Sequence, residues 1–362
     1  MRPLVPAHIE MLQPYVPGKP IEETEREYGI TGAIKLASNE NPLGPSARAI
    51  QAIETAAPKV NHYPDGSSHY LVEKLSSFLR VRPDEVFVGN GSNEIIELLI
   101  RTFTSAQDEA ILCQGSFLMY KVALQSHGRV FTEVPMQKGY RYDLAAMADR
   151  ITPRTRIIFL ANPDNPTGTA FGRSELDAFL ARVPLDCFVA LDEAYFEYVE
   201  WPDYPNGLEY LRRHSNLVVL RTYSKIYGLA GIRLGYAVMQ RPLAEYMNRT
   251  RLPFNLSSLA QAAGIAALDD VEHVRATREI TRRGLRYLQD ELRKLGLVVP
   301  QSHANFVFVD LGRPAAPLYE QLLRRGIITR PIPAYGFPNA LRISVGLPPQ
   351  NERLVNALRE LL

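Results

Sequence analysis

The sequence is poor in cysteine and has no long hydrophobic run. Its 362 residues include only two cysteines, too few for a disulfide framework or for a metal site built on cysteine pairs. Cys113 and Cys187 both lie in or beside apolar segments, so we expect core thiols in a reducing compartment. No segment approaches the roughly 18 apolar residues that a membrane-spanning helix needs. The N-terminus lacks the apolar region of a signal peptide, which makes the cytoplasm the expected location.

The chain also has no excess of charge of either sign. Its 41 basic and 39 acidic residues leave a net charge of +2, so nothing indicates nucleic acid as a main partner. A hydrophobic content of 46% is ordinary for a globular protein. The length allows a large core and two domains.

The order of the apolar segments predicts an α/β fold. Between about residues 44 and 250, short apolar segments alternate with amphipathic ones. This pattern favours a mainly parallel sheet with helices on both faces. The predicted strands are 86–88, 109–112, 129–134, 156–160, 188–191, 217–220 and 234–238. The predicted helices are 46–57, 70–79, 93–103, 116–127 and 174–183.

Three regions of different character divide the chain. Residues 1–40 contain closely spaced prolines and are predicted to form an extended arm, with one short helix near 21–28, that joins the small domain. Residues 41–253 are predicted to form the large domain and residues 254–362 a small α+β domain. The last region is predicted to contain one long helix or a kinked pair at 258–295, then strands at 306–311, 327–329 and 340–345 and helices at 317–325 and 349–361.

One lysine, Lys225, has an unusual setting. It follows the predicted strand 217–220 and Ser224, and it precedes two glycines and Arg233. An amine at the end of a buried strand can have its pKa lowered by desolvation and nearby cations, which makes it nucleophilic towards carbonyls. Serine and arginine are natural ligands of phosphate. The alternative is an exposed lysine, the usual state of this residue type. An amine beside a phosphate site is what a pyridoxal phosphate enzyme requires.

Other predicted strands are also followed by polar motifs, at the edge where open parallel sheets bind ligands. Residues 89–94 read Gly-Asn-Gly-Ser-Asn-Glu and lead into a helix, and such a turn presents free N–H groups to an anion. Residues 162–168 read Asn-Pro-Asp-Asn-Pro-Thr-Gly, a rigid turn with polar side chains. Asp192 follows strand 188–191.

Each of these motifs has a simpler interpretation. Residues 89–94 could belong to a dinucleotide fingerprint, but Glu94 stands where the third glycine is required. The turn at 162–168 could be only a turn. Asp192 could cap a helix. A carboxylate at that position could equally hold a pyridine nitrogen protonated.

Together and in this order, the motifs resemble the fold-type-I pyridoxal phosphate-dependent aminotransferases, and among them the histidinol-phosphate aminotransferase family. The similarity runs from Leu-Gln-Pro-Tyr-Val-Pro-Gly-Lys at 12–19 to Leu-Arg-Ile-Ser-Val-Gly at 341–346. The specific segments are 36–42, 62–65, 91–94, 162–168, 192–195 and 224–233.

The resemblance implies roles around a pyridoxal 5'-phosphate cofactor. Lys225 would form the Schiff base and act as the base in the 1,3-proton shift. Asp192 would pair with the pyridinium nitrogen. Asn165 and Tyr195 would hydrogen-bond the ring hydroxyl. Phe117 would stack on the ring, at a position where family members often have tyrosine.

The resemblance also implies anion contacts. The cofactor phosphate would be held by Gly91, Ser92, Asn93, Ser224 and Arg233. Tyr63 would reach the phosphate in the partner subunit of a homodimer with shared active sites. Arg342 would bind the carboxylate of glutamate and, in the other half-reaction, the phosphate of the substrate. Arg330, Tyr15, Asn41 and Tyr63 would complete the substrate site. The alternative for Arg342 is a salt-bridged arginine of a strand.

The implied activity is transamination between L-histidinol phosphate and 2-oxoglutarate, a step of histidine biosynthesis that requires no metal. Two alternatives use the same fold: an aromatic amino acid aminotransferase and a threonine-phosphate decarboxylase. A third is a non-catalytic ligand-sensing regulator. Such regulators carry an N-terminal DNA-binding domain, for which the first 40 residues are too short and too rich in proline.

Overall fold

The computed structural model describes residues 3–14 and 16–362. The strands are β1 (Ile34–Lys35), β2 (Val86–Gly89), β3 (Glu109–Cys113), β4 (Val130–Val134), β5 (Thr155–Ala161), β6 (Phe188–Asp192), β7 (Leu217–Thr222), β8 (Gly235–Met239), β9 (Phe306–Asp310), β10 (Ile327–Ile328), β11 (Arg330–Ile332) and β12 (Phe337–Ser344). The α-helices are α1 (Ala7–Glu10), α2 (Ile21–Tyr28), α3 (Ala47–Ala56), α4 (His69–Leu79), α5 (Gly91–Phe103), α6 (Leu118–Ser126), α7 (Leu144–Asp149), α8 (Arg173–Leu180), α9 (Arg241–Thr250), α10 (Ser258–Leu268), α11 (Val271–Lys294), α12 (Ala315–Arg324) and α13 (Pro348–Leu361). In these described ranges, no helix is both long enough and apolar enough to cross a bilayer.

A central sheet of seven described strands organises the larger part of the molecule. Its strand order is β2-β8-β7-β6-β5-β3-β4. Strand β8 runs antiparallel to its neighbours β2 and β7, and the other neighbouring pairs are parallel. Strands β6 and β7 are buried along their whole length, which explains their apolar sequences. The predicted mainly parallel sheet of the fold-type-I architecture is therefore confirmed.

Hydrophobic cores cover both faces of this sheet, because successive side chains of a strand point in opposite directions. In β6, Val189 and Leu191 join a core that includes residues of α3, α4, α8 and α10. Ala190, between them, joins the core on the opposite face with residues of α5, α6 and α9. The sheet is thus the middle layer of three.

The strands β5, β6 and β7 end at the same edge of the sheet. Asp192, the last residue of β6, pairs with Ala161 of β5 and with Leu220 of β7. The polar segments that follow these strands are consequently brought together, as expected for an open parallel sheet.

Two smaller sheets lie towards the C-terminus of the chain. Strands β11, β12 and β9 form an antiparallel sheet, and β1 pairs in parallel with β10. The second pairing attaches the N-terminal region to the C-terminal third. Helix α10 joins the core of the central sheet, whereas α11, α12 and α13 contribute to a separate core with β9 and β12. The division into an arm at 1–40 and domains at 41–253 and 254–362 stays a prediction.

Three helical details differ from the sequence prediction or refine it. The segment 258–295 is a pair of helices, and Asp270 begins the second one by accepting a hydrogen bond from the His273 N–H at 3.1 Å. The helix predicted from residue 116 begins at Leu118, because the Ser116 hydroxyl is turned towards Asp164, at 2.6 Å. Helices α1, α7 and α9 were not predicted from the sequence; α1 and α7 have only four and six residues, which is fewer than two turns.

Candidate active site

A cavity of about 390 Å³ opens at the carboxyl edge of the central sheet. Residues from both the central sheet and strand β12 line it, so it lies where the two parts of the fold meet. The predicted site residues that line it are Ser92, Asn93, Phe117, Asn165, Asp192, Tyr195, Ser224, Lys225, Arg233, Arg330 and Arg342. The volume is within the usual range for a small-molecule site.

Lys225 presents its amine to this cavity from a partly buried position. Its Nζ atom lies 3.5 Å from the Ser38 carbonyl oxygen and 5.8 Å from the centre of the Tyr195 ring. Burial, followed by the positive charge of Arg342, lowers the pKa of the lysine from 10.5 to about 8. The amine is therefore much more often neutral, and nucleophilic, than that of an exposed lysine.

Asp192 faces the same cavity and is 4% exposed. Its Oδ2 accepts a hydrogen bond from the Tyr120 hydroxyl at 2.8 Å, and its Oδ1 accepts one from the Ala194 N–H at 3.1 Å. Burial raises the pKa of this carboxyl to about 6. The next short helix, Phe196–Tyr198, begins after Tyr195. Asp192 is therefore not its cap, and the simpler interpretation of this residue is wrong.

An anion-binding turn lies at the start of helix α5. Gly91 has a φ of 75°, and a Cβ atom at this position would collide with the guanidinium of Arg233. Glycine thus allows the arginine to approach the first turn of the helix, where Ser92 and Asn93 line the cavity. The N–H groups of a first helical turn and a guanidinium together favour an anion. Ser224, beside Lys225, lines the same cavity.

The positively charged guanidinium of Arg342 lines the cavity, and its hydrogen bonds to the described residues do not use all of its N–H groups. It is 5% exposed, and its two Nη atoms donate to Asn165 Oδ1 and to the Ala37 carbonyl oxygen, each at 2.6 Å. Its Nε atom has no hydrogen-bond partner among the described residues. These partners are neutral, so the alternative of a salt-bridged strand arginine is wrong. A buried donor without a partner marks a place where a ligand oxygen fits.

Two further residues, which were not predicted from the sequence, shape the site. Asn39 donates from Nδ2 to the Tyr195 hydroxyl at 2.9 Å, and it has a φ of 57°. Tyr120 donates to Asp192. Asn39 lies within the quoted segment 36–42, which is the only sequence signal for it. Tyr120 is one of the apolar positions of a predicted helix, a pattern that indicates a core residue.

Among the described residues, three that were predicted to contact a ligand do not line the cavity: Gly91, which lies at the turn described above, Asn41 and Tyr63. Asn41 donates to the Ile226 carbonyl oxygen at 2.8 Å and to the Thr277 hydroxyl at 3.1 Å, so it supports the segment behind Lys225 and does not face a substrate. Tyr63 is 83% exposed and stacks on Phe254, with 4.7 Å between ring centres. Tyr15 lies outside the described residues.

Arg330 and Phe117 line the cavity as predicted, but each also contacts a neighbouring residue. Arg330 lines it and also donates to the carbonyl oxygen of Val16 in the N-terminal arm. Phe117 lines it at the start of α6, edge-on to Tyr120 with 5.3 Å between ring centres.

The chain matches a known protein family over most of its length. Residues 31–358 match the family described as aminotransferase class I and II. The histidinol-phosphate aminotransferase of Anaeromyxobacter sp. (strain Fw109-5) is 52% identical to the chain over 361 residues, which cover 99% of both proteins. The histidinol-phosphate aminotransferase of Moorella thermoacetica is 46% identical, over 97% of this chain and 91% of the relative.

Two solved structures resemble nearly the whole chain. The histidinol-phosphate aminotransferase of Sinorhizobium meliloti, in complex with pyridoxal-5'-phosphate, superposes with a TM-score of 0.90 at 27% identity. The match covers 99% of this chain and 98% of that one. Aspartate aminotransferase of Thermus thermophilus with maleate has a TM-score of 0.84 at 22% identity, over the full length of both chains. The latter likeness shows a shared fold alone.

Proposed function

Because the chain belongs to the class I and II aminotransferases and, among them, to the histidinol-phosphate aminotransferases, we propose that it transfers an amino group from L-histidinol phosphate to 2-oxoglutarate. The products are imidazole acetol phosphate and glutamate, and the reaction is a step of histidine biosynthesis. The observation that carries this proposal is one cavity that contains a reactive lysine, a buried carboxylate and an arginine with an unbonded N–H.

The cavity suits pyridoxal 5'-phosphate as the cofactor. The amine of Lys225 would bind its carbonyl carbon, the turn at Ser92 and Asn93 would hold its phosphate with Ser224, and Arg233 would add a positive charge there. When bound, the cofactor supplies an electron-withdrawing ring that stabilises negative charge on the carbon bearing the amino group.

Lys225 also serves as the base. With its lowered pKa, Nζ is neutral often enough to accept the proton that leaves the carbon bearing the amino group. An exposed lysine would be protonated almost always at neutral pH and could accept this proton only rarely.

Asp192 and its neighbours would orient the cofactor ring. The Asp192 carboxylate would hold the ring nitrogen in its protonated form, which the electron-withdrawing role needs. Tyr120 fixes the carboxylate by donating to it at 2.8 Å. Asn165 and Tyr195 line the cavity, with the Tyr195 ring centre 5.8 Å from Lys225 Nζ, and would hydrogen-bond the ring hydroxyl.

Arg342 would bind both substrates in turn. A planar guanidinium pairs well with either a carboxylate or a phosphate, so one residue can serve glutamate and histidinol phosphate alike. Its Nε atom is unbonded among the described residues and is available to a ligand oxygen. Arg330, on the same cavity wall, would add a second positive charge.

We also propose a homodimer whose partner subunit completes the site. Tyr63 and Phe254 are 83% and 45% exposed and stack on each other with 4.7 Å between ring centres, and such an exposed apolar pair supports an interaction surface. Tyr63 would cross this surface to the cofactor phosphate of the partner subunit. The cytoplasm is the proposed location, in keeping with two cysteines that are both free and buried.

Steady-state assays with three amino donors test the proposed reaction. Turnover with L-histidinol phosphate and 2-oxoglutarate should exceed turnover with L-phenylalanine. Phosphothreonine should release no carbon dioxide. A preference for phenylalanine would move the function to aromatic transamination, and release of carbon dioxide would make the protein a decarboxylase.

Variants of Arg342 test the shared pocket. Arg342→Ala should raise KM for both histidinol phosphate and glutamate by roughly ten-fold or more, since a charge-assisted hydrogen bond is lost with each. Arg342→Lys keeps the charge but not the planar fork, and should recover only part of the loss. A rise in KM for one donor alone would show that Arg342 does not serve both.

A further inference from the structure

A carboxylate outside the cavity holds the anion-binding turn in place. Glu94 lies in the first turn of α5 but does not line the cavity. Its Oε2 atom accepts a hydrogen bond from the Asn90 N–H at 2.6 Å and another from Asn255 Nδ2 at 2.9 Å. Both donors therefore converge on one carboxylate oxygen.

Asn255 connects this carboxylate to two further segments. Its Nδ2 atom also lies 3.3 Å from the Val88 carbonyl oxygen in strand β2. Its Oδ1 accepts a hydrogen bond from Arg251 Nη1 at 2.9 Å, and Arg251 in turn donates to the Gly66 carbonyl oxygen at 2.6 Å. The side-chain amide of Asn255 is thus hydrogen-bonded to strand β2, to Glu94 after the turn, and to Arg251 in the segment that follows α9.

The turn needs such support because of its glycines. Gly91 adopts a φ of 75°, and a Cβ atom at Gly89 would lie 2.6 Å from Ile95 Cγ1 and 3.2 Å from Glu94 Oε2. Glycine permits this close packing, but it leaves the unsupported backbone more conformations than any other residue. The hydrogen bond from the Asn90 N–H to Glu94 restrains the residue that immediately precedes Gly91, Ser92 and Asn93.

We propose that Glu94 and Asn255 are positioning residues that preorganise the turn for the phosphate of the cofactor. The inference rests on the proposed function, which assigns the phosphate to this turn. A carboxylate in the first turn of α5 repels an anion bound at the start of that helix. Glu94 therefore acts through its two hydrogen bonds and not through its charge.

Two substitutions of Glu94 separate the effect of its hydrogen bonds from that of its charge. In Glu94→Gln, the amide oxygen can accept from both donors, because both use one oxygen of the glutamate. The negative charge is lost, so the variant should bind pyridoxal phosphate as tightly as the wild type, or more tightly. Glu94→Ala loses both bonds and should bind it roughly ten-fold more weakly or worse.

The experiment measures the dissociation constants of pyridoxal phosphate and of pyridoxal for the cofactor-free protein by absorbance titration. Pyridoxal has no phosphate, so Glu94→Ala should weaken its binding far less. Asn255→Ala should show the same selective loss, smaller in size because the Asn90 bond remains. Asn255→Ala carries the test on its own if Glu94→Ala does not fold, as judged by thermal melting.

Three results would overturn the inference: unchanged affinity for pyridoxal phosphate in Glu94→Ala and Asn255→Ala, an equal loss for pyridoxal and pyridoxal phosphate, or a Glu94→Gln variant as weak as Glu94→Ala. Failure of the wild type itself to bind pyridoxal phosphate would instead contradict the proposed function. The two failures are therefore distinguishable.

Discussion

Burial moves the two main ionisable residues of the cavity in opposite directions. It disfavours the charged form of each, so the pKa of Lys225 falls to about 8 and the pKa of Asp192 rises to about 6. Such a divergence is typical of residues with acid–base roles. At pH 7 about a tenth of the Lys225 amines would be neutral, against roughly 0.03% for an ordinary lysine.

The lowered pKa of Lys225 predicts a pH dependence of cofactor capture. Only the neutral amine attacks a carbonyl, so the rate at which the cofactor-free protein takes up pyridoxal phosphate should rise with pH and level off above about 8. Stopped-flow absorbance across pH 6 to 10 measures this rate. Lys225→Ala should show no such step, and a midpoint near 10.5 would contradict the described environment of the amine.

The helices and strands that could be predicted are those that depend on a local sequence pattern. The strands at 188–191 and 217–220 were predicted correctly, because central strands of a parallel sheet are apolar throughout. The polar motifs that follow them could be placed by the same rule. Local pattern thus predicts Lys225 and Asp192, whereas Arg342 is implied only by the family resemblance; all three line one cavity.

Contacts between distant parts of the chain could not be predicted in this way. Asn39 bonds to Tyr195, 156 positions away, and no local pattern indicates such a partner. Asn41 lies only two residues further on, yet its side chain is taken up by Ile226 and Thr277. Two asparagines of one motif thus have different surroundings, and only tertiary packing decides which of them reaches the site.

A buried ion pair joins β6 and β7 at the edge that carries the site. Glu193, directly after Asp192, accepts from Arg221 Nη2 at 2.8 Å and from Nε at 3.0 Å, and their side chains are 0% and 4% exposed. The guanidinium also lies 3.6 Å from the centre of the Phe196 ring. Removing one partner of such a pair leaves an uncompensated buried charge.

We predict that Arg221→Met lowers the free energy of unfolding by about 3–5 kcal/mol. The matched control is Arg275→Met, which removes an exposed partner of Glu272 and should cost less than about 1 kcal/mol. Urea unfolding monitored by circular dichroism measures both. Equal losses of unfolding free energy in the two variants would show that the buried pair of Arg221 and Glu193 stabilises the protein no more than an exposed pair does.

At the scale of the whole molecule, the proposed dimer makes each active site depend on two chains. Lys225 lines the cavity of its own chain, while Tyr63 stands exposed on the apolar surface with Phe254. If Tyr63 serves the partner subunit, a hybrid of a Lys225→Ala chain and a Tyr63→Ala chain has one damaged site and one intact site. If Tyr63 serves its own chain, both sites of the hybrid are damaged.

Mixing the two variants therefore tests the shared site. Each homodimer should be nearly inactive, and refolding or co-expressing them together should restore up to a quarter of the activity per total chain, since half the dimers would be hybrids with one intact site of two. Sedimentation should show a dimer throughout. An absence of restored activity in proven hybrids would contradict the proposed crossing of Tyr63.

The proposed reaction is tested by the absorption spectrum of the purified protein with bound pyridoxal phosphate, titrated with L-histidinol phosphate in the absence of any 2-oxo acid. The amine at Lys225 and the shared anion pocket predict that about one equivalent converts the aldehyde form of the cofactor to its amine form, and that 2-oxoglutarate reverses the change. Lys225→Ala should show no conversion on this timescale. The proposed function would be contradicted if histidinol phosphate left the cofactor spectrum of the wild type unchanged while L-phenylalanine converted it.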